Sequence, residues 1–296
     1  MNEQKVRRRF ETHGSGAPLV LPPDHLAMRE QRTLFPNTVR SANPDELVLK
    51  SGIHSTKLGD KIVKGVWKEA LIFSLTLEER KTCPITCQQL PLCMGNGMHL
   101  ATRWKVDSEL YVRLMTELEH LAYVHRTYAV RLHVLGDFVN TRYVQFWLDA
   151  LRAYPGLRIF GFTHWERTSE IGAMIEAESG RWDRVRIRFS DNHTGPRTAH
   201  VIRDRAAQGK HPLGIICPAD DTRPERNCGN CAFCINSTAP VVFKEHGPVR
   251  SPRPRRERLD QGRVLLLRRA NVDLTPTRSS GSGPCSGGNP TWTGRW

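Results

Sequence analysis

Between residues 70 and 217 the chain alternates short apolar runs with longer stretches of helical periodicity. ALIFSLT, residues 70–76, is an apolar run of strand length. From Asp107, DSELYVRLMTELEHLAYVH sets Leu110, Leu114, Leu118 and Leu121 on one helical stripe, with Asp107 or Ser108 as N-cap. In YAVRLHVLGDF, Val130, Leu132 and Val134 alternate with Arg131 and His133 up to a Gly-Asp break, which predicts a strand ending in a turn. NTRYVQFWLDALRAYPG is a helix with apolar Tyr143, Val144, Trp147, Leu148 and Leu151, stopped by Pro155 and Gly156. LRIFGFTHW then predicts a strand, TSEIGAMIEAESG a capped helix, VRIRFS another strand and GIIC, residues 214–217, a short one. This spacing predicts βαβ units in an α/β fold, either a partial (β/α) barrel or an open parallel sheet; periodicity does not choose between them.

In parallel α/β folds, ligands gather at the carboxyl ends of the strands. Here those ends carry Cys83 and its neighbours, then Gly136 and Asp137, then His164 and Trp165, then Asp191, Asn192 and His193, and last Cys217. Cys-rich loops on one rim are therefore expected to form the site.

Seven of the eight cysteines fall in two clusters. TCPITCQQLPLCMGNGM places Cys83, Cys87 and Cys93 in a Cys-x3-Cys-x5-Cys loop, where three thiolates suit an iron-sulfur cluster with one iron left open. Zinc needs a fourth ligand, for which His99 is nearest. ICPADDTRPERNCGNCAFC gives Cys217, Cys228, Cys231 and Cys234, with the short spacings of a 4Fe-4S site and a remote cysteine to complete it. A four-cysteine zinc site is the bland alternative, and iron-sulfur is preferred by ligand type. CMGNGM has glycines without the context of a phosphate loop, and no serine triad, P-loop, HExxH or dinucleotide motif is present.

Charge adds a second theme. The formal net charge is +14, and residues 248–296 hold ten Arg, no Lys and three acidic residues among Pro, Gly and Ser. That composition predicts a disordered basic tail, which either binds nucleic acid by counterion release or is a solvated appendage. Cys285 lies in it and is expected to ligate nothing. The division expected is an extended segment over 1–45, an α/β metal-binding domain over 46–247 and the tail over 248–296. The N-terminus lacks an apolar signal core and no run spans a membrane, so a cytoplasmic chain with reduced thiols and no membrane partner is expected. Oligomeric state is not encoded in these patterns.

KGVWKEALIFSLTLEERKTCPITC, CMGNGM, RLHVLGDF and CGNCAFC together resemble a family of phage and bacterial proteins named after phage gene product eighty-eight, over residues 50–247. More distantly the chain is similar to radical S-adenosylmethionine enzymes. That resemblance implies a cluster on Cys83, Cys87 and Cys93 that chelates S-adenosylmethionine, Gly136 and Asp137 at the cofactor's amine, and an auxiliary cluster on the four later cysteines. The usual spacing in those enzymes is Cys-x3-Cys-x2-Cys, and this chain has x5 at the second interval.

Strand alternation puts Arg131 and His133 on one face, so both are expected to point into a basic lumen that favours an anionic substrate. Arg186 and Arg188 either join them or are solvated arginines of an edge strand. His133 is alternatively a buried histidine bonded to backbone. His164 and Trp165 either stack on a base or pack the rim. The leading expectation is an iron-sulfur protein of radical S-adenosylmethionine type acting on nucleic acid or a nucleotide-like substrate, with His133, Arg131 and His164 as candidate catalytic residues. Its rival is a zinc-stabilised, non-catalytic nucleic-acid-binding or host-interaction protein.

Overall fold

The computed structural model describes residues 20–181, 183–190, 194–204, 206–220 and 226–245. Its strands are β1 (Val39–Arg40), β2 (Lys50–Ser51), β3 (Leu71–Ser74), β4 (Arg103–Trp104), β5 (Tyr128–Leu132), β6 (Leu157–Thr163), β7 (Val185–Ser190), β8 (Thr198–Ile202), β9 (Lys210–His211), β10 (Gly214–Ile216) and β11 (Val241–Lys244). The helices used below are α1 (Leu26–Arg29), α2 (Ser108–Val124), α3 (Thr141–Ala153), α4 (Glu170–Arg181), α5 (Cys228–Cys231) and α6 (Phe233–Asn236). Asp107, not Ser108, caps α2 by accepting from Leu110 N at 3.0 Å, and Asn140 caps α3 in the same way through Tyr143 N at 2.9 Å. The stripes predicted for both helices are buried.

Nine strands form one sheet in the order β2-β3-β5-β6-β7-β8-β11-β10-β9, parallel from β3 to β10 and antiparallel only at its two margins. The sheet is open. Consecutive parallel strands β3, β5, β6 and β7 lie side by side in chain order, so right-handed crossovers carry all three long helices to the same face. Tyr128, Val130, Leu132, Ile159, Ile187 and Phe189 accordingly share one core with the leucines of α2 and the aromatic residues of α3.

The opposite face therefore needs another cover. Loops supply it: Leu58, Ile62 and Trp67 pack with Ala232 and Ile235 over Ile72, Ala129 and Phe160. This face is concave. Phe162 on β6 and Phe243 on β11 bring their rings to 5.2 Å, although two strands separate them and a flat sheet would put them about 14 Å apart.

Strands β8, β9 and β11 are not anticipated by the hydrophobic pattern, and β11 inserts between β8 and β10. Residues 20–45, for which the pattern predicts no element, contain α1 and the short strand β1, which pairs with β4. The basic 248–296 segment, Cys285 and the Asp191, Asn192, His193 station of the predicted rim lie outside the described residues. No helix among the described residues is long and apolar enough to cross a membrane.

Candidate cysteine-lined cavity

A cavity of about 410 Å³ opens on the concave face, and Cys83, Cys87, Cys93, Cys217, Cys228, Cys231 and Cys234 all line it. Gly136, Asp137, Arg131, His133 and His164 line it too. The topology explains the convergence. Cys83 follows the first parallel strand, Cys217 directly follows β10, and the loop carrying α5 and α6 folds back across the sheet between them.

The first thiol loop is held by a buried ionic network. Arg103 donates from Nε and Nη2 to the two carboxylate oxygens of Glu79, at 2.6 and 3.0 Å, and neither side chain has solvent exposure. Arg103 also donates to the carbonyls of Gly95, Met98 and Ala101, and Thr33 Oγ1 donates to Glu79 at 2.7 Å. Arg80 reaches across the loop to Leu90 O at 3.0 Å and to Asn96 Oδ1, while Asn96 donates to Pro91 O. Buried charge is retained when it is paired and hydrogen-bonded, as the Glu79–Arg103 pair is here, while Arg80 keeps one donor, Nε, without a partner among the described residues. Nothing in the pattern of the run LEERK marks its charges as buried, which is why pattern alone misses this clamp.

The second thiol loop docks on residues 57–66. Cys228 N and Gly229 N donate to the carbonyls of Lys57 and Leu58, both at 2.9 Å, and Val66 N donates to Asn236 Oδ1 at 2.9 Å. Ala232, with φ 50°, turns the chain between α5 and α6. Arg188 is buried beneath the loop and donates to Ser237 O at 2.5 Å and Ala239 O at 2.7 Å, and Arg186 donates to Ile235 O at 2.9 Å. These arginines are neither solvated nor free in a lumen. They are fastenings of the Cys231–Cys234 loop.

Burial pushes the Cys83 thiol well up, with Asp137 and the two neighbouring thiols adding to it. Cys93 is pushed up to about 12 by burial and then by Glu79, and Cys234 to about 11 by burial against the opposing pull of Arg188. Bare Cys83, Cys93 and Cys234 are therefore neutral, and such thiols ionise when a cation takes the proton's place. Among the described residues no three Cys, His, Asp or Glu side chains converge on a single-ion site. His99 is exposed, with its ring edge-on to Phe35 at 6.3 Å, and does not line the cavity.

Gly136 has φ +85°, and a Cβ there would meet Thr82 Oγ1 at 2.6 Å and Leu77 Cβ at 2.8 Å, so only glycine lets this turn press against the segment between β3 and Cys83. Asp137 is buried; its Oδ1 accepts from Phe138 N and its Oδ2 from His164 N, both at 2.7 Å. Desolvation raises its pKa to about 6, against the lowering effect of His164. Asp137 thereby ties the end of β5 to the end of β6. Trp165 packs the rim, its Nε1 donating to Phe138 O at 2.6 Å.

Arg131 lies on the concave face as expected, but His133, which also borders the cavity, makes its side-chain hydrogen bond elsewhere. Its ring turns to α3, where Nε2 sits 3.0 Å from Tyr143 Oη, so the partner is a side chain and not backbone. Burial lowers the His133 pKa to about 3, with Arg131 adding to the effect. The unfolded imidazole takes a proton near pH 6.5 and the folded one does not, so His133 favours the fold above that pH and loses this contribution as pH falls toward 3. His133→Gln should flatten the acid limb of the stability curve between pH 6 and pH 4 by up to about 1.4 kcal/mol per pH unit, measured by urea unfolding. An unchanged slope would show that His133 is not held neutral.

Comparison with known proteins bears on this site. A family model described as Gene product 88 matches residues 54–237, more than half of the chain. The chain belongs to this family. The Gene product 88 match contains all seven cavity cysteines. The Gene 88 protein of Mycobacterium phage L5 is 24% identical over 131 residues, which is 38% of this chain and 53% of the relative. The match thus spans about half of that relative's length. No solved structure matches the chain.

Proposed function

We propose that this Gene product 88 protein is an iron-sulfur protein in which Cys83, Cys87 and Cys93 hold one cluster and Cys217, Cys228, Cys231 and Cys234 hold a second, both facing the same cavity. The observation that carries the reading is that all seven thiols line that cavity. Ligands of a four-iron cluster bind different corners, so they surround a space and need not meet at a point. Recessed neutral thiols of this kind suit a site that loads metal with release of protons. When bound, a cluster supplies one-electron transfer.

The finer reading, a radical S-adenosylmethionine-type enzyme on a nucleic acid or nucleotide-like substrate, draws support from the singly wound, concave sheet and from the three-thiol loop that follows its first parallel strand. In that reading Cys83, Cys87 and Cys93 leave one iron for S-adenosylmethionine. Gly136 brings its turn against the thiol loop, and Asp137 fixes the mouth between β5 and β6. The Arg-rich segment 248–296 would supply the nucleic-acid contact. A zinc-stapled binding protein is the competing reading.

Chain purified without oxygen is expected to hold about eight iron atoms with matching sulfide, and Cys83→Ala and Cys231→Ala to lose about four each, from different sites. Both variants are assayed for iron, sulfide and zinc. Zinc without sulfide would end the iron-sulfur reading and leave the stapled one.

A further inference from the structure

The part of the cavity that the cysteines do not occupy has its own chemistry. Arg131 projects there from the concave face of β5, and its Nε is buried with no hydrogen-bond partner among the described residues. Among the described residues no carboxylate forms an ion pair with it; the face of Phe162 lies against it, with the ring centroid 5.3 Å from the guanidinium carbon, and the Cys234 thiol is near enough to feel its charge. Phe162 meets Phe243 edge to face at 5.2 Å and 84°, and Lys57 Nζ stands 5.8 Å from the Phe243 centroid. Arg131, Phe162, Phe243 and Lys57 thus form a ladder with a cation at each end of an aromatic pair.

The acid that lines the cavity does not neutralise it. Both oxygens of Asp137 accept backbone N–H groups, from Phe138 and His164. The nearby thiol of Cys234 already has Arg188 as its hydrogen-bonding cation. A guanidinium set among apolar walls without an anion is costly, and its planar fork matches carboxylate or phosphate.

We propose that the cavity takes a flat organic anion, with its ring on Phe162 and Phe243 and its carboxylate or phosphate on Arg131. This goes beyond metal binding, since it rests on Arg131 and the phenylalanine pair and not on the thiols. A neutral ring gains only the aromatic surface, and a compact inorganic anion gains only the fork. The site selects a ligand that has both.

The test is equilibrium dialysis of the full chain, purified without oxygen, against anilinonaphthalene sulfonate and its uncharged analogue phenylnaphthylamine. Arg131→Met should weaken sulfonate binding by at least about tenfold, the value of a charge-assisted hydrogen bond, while leaving the amine within about twofold. Phe162→Leu should weaken both. Arg131→Lys serves where the methionine variant does not fold, and should bind the sulfonate more weakly than wild type while still favouring it over the amine. Displacement by a nucleoside monophosphate assigns phosphate, and displacement by an indole carboxylate assigns carboxylate; displacement by neither overturns the proposal. Equal sulfonate binding by wild type and Arg131→Met overturns it as well. So does loss of iron from Arg131→Met with both dyes still bound, which would make Arg131 a counter-charge for thiolates. A chain free of iron and sulfide that binds the sulfonate through Arg131 removes the iron-sulfur reading and leaves this one standing.

Discussion

Glu79→Ala is expected to destabilise the chain by about 3–5 kcal/mol, the range for removing one partner of a buried ion pair. The variant leaves Arg103 charged, buried and without its carboxylate, since both guanidinium contacts to Glu79 vanish together. The Thr33 hydroxyl loses its acceptor as well, which removes one of the ties between the N-terminal segment and the thiol loop and leaves those from Leu21 N to Pro91 O and from Arg80 to Arg32 O. Urea unfolding gives the stability, and iron content of the folded protein shows whether Cys83, Cys87 and Cys93 still hold metal. A paired replacement, Glu79→Leu with Arg103→Met, should recover much of the loss, because apolar groups of similar volume leave no charge behind. Stability within about 1 kcal/mol of wild type for Glu79→Ala would show that water or a neighbouring group replaces the carboxylate.

Gly161→Ala should cost more than about 3 kcal/mol, beyond the ordinary range for overpacking. Gly161 sits opposite Leu132 in the β5–β6 ladder, and a Cβ there would lie 1.4 Å from Leu132 O and 2.5 Å from its carbonyl carbon. The obstacle is backbone, so no rotamer change relieves it, and the two central strands must separate where β5 feeds the Gly136–Asp137 turn. Gly180→Ala is the control. Nothing lies within 4 Å of a Cβ at Gly180 on α4, and the substitution should raise stability by up to about 1 kcal/mol through helix propensity. Thermal unfolding of both variants decides the matter, and similar values for the two would remove the argument for a close approach.

Much of the sheet was legible because its central strands and helices repeat strong local patterns. Leu110, Leu114, Leu118 and Leu121 announce α2 by spacing alone, and all four are buried. The strands β8 and β11 were not, since the mixed polarity of TAHVI in Thr198–Ile202 and a four-residue VVFK carry little periodic signal. Alternation placed Arg131 on the concave face, yet it gave no sign of the bond at His133, where the regular strand has ended and Tyr143 supplies the partner. The meeting of the two cysteine clusters depends on sheet curvature and on a docking between residues 57–66 and 227–236, which no local window contains. Glu79 and Arg103 escaped notice for the same reason, because their burial is a property of the assembled loops.

That docking also sets a clock. Val66 and Asn236 are joined across 170 positions of chain, so the loop bearing Cys228, Cys231 and Cys234 finds its seat only after nearly all of the sheet has been synthesised. At about 5–20 residues per second the wait is on the order of 10–30 s, during which Cys83, Cys87 and Cys93 have emerged without the walls that later enclose them. In a growing chain these three thiols are the part most open to oxidants and stray metals, and they stay so until β11 slots between β8 and β10.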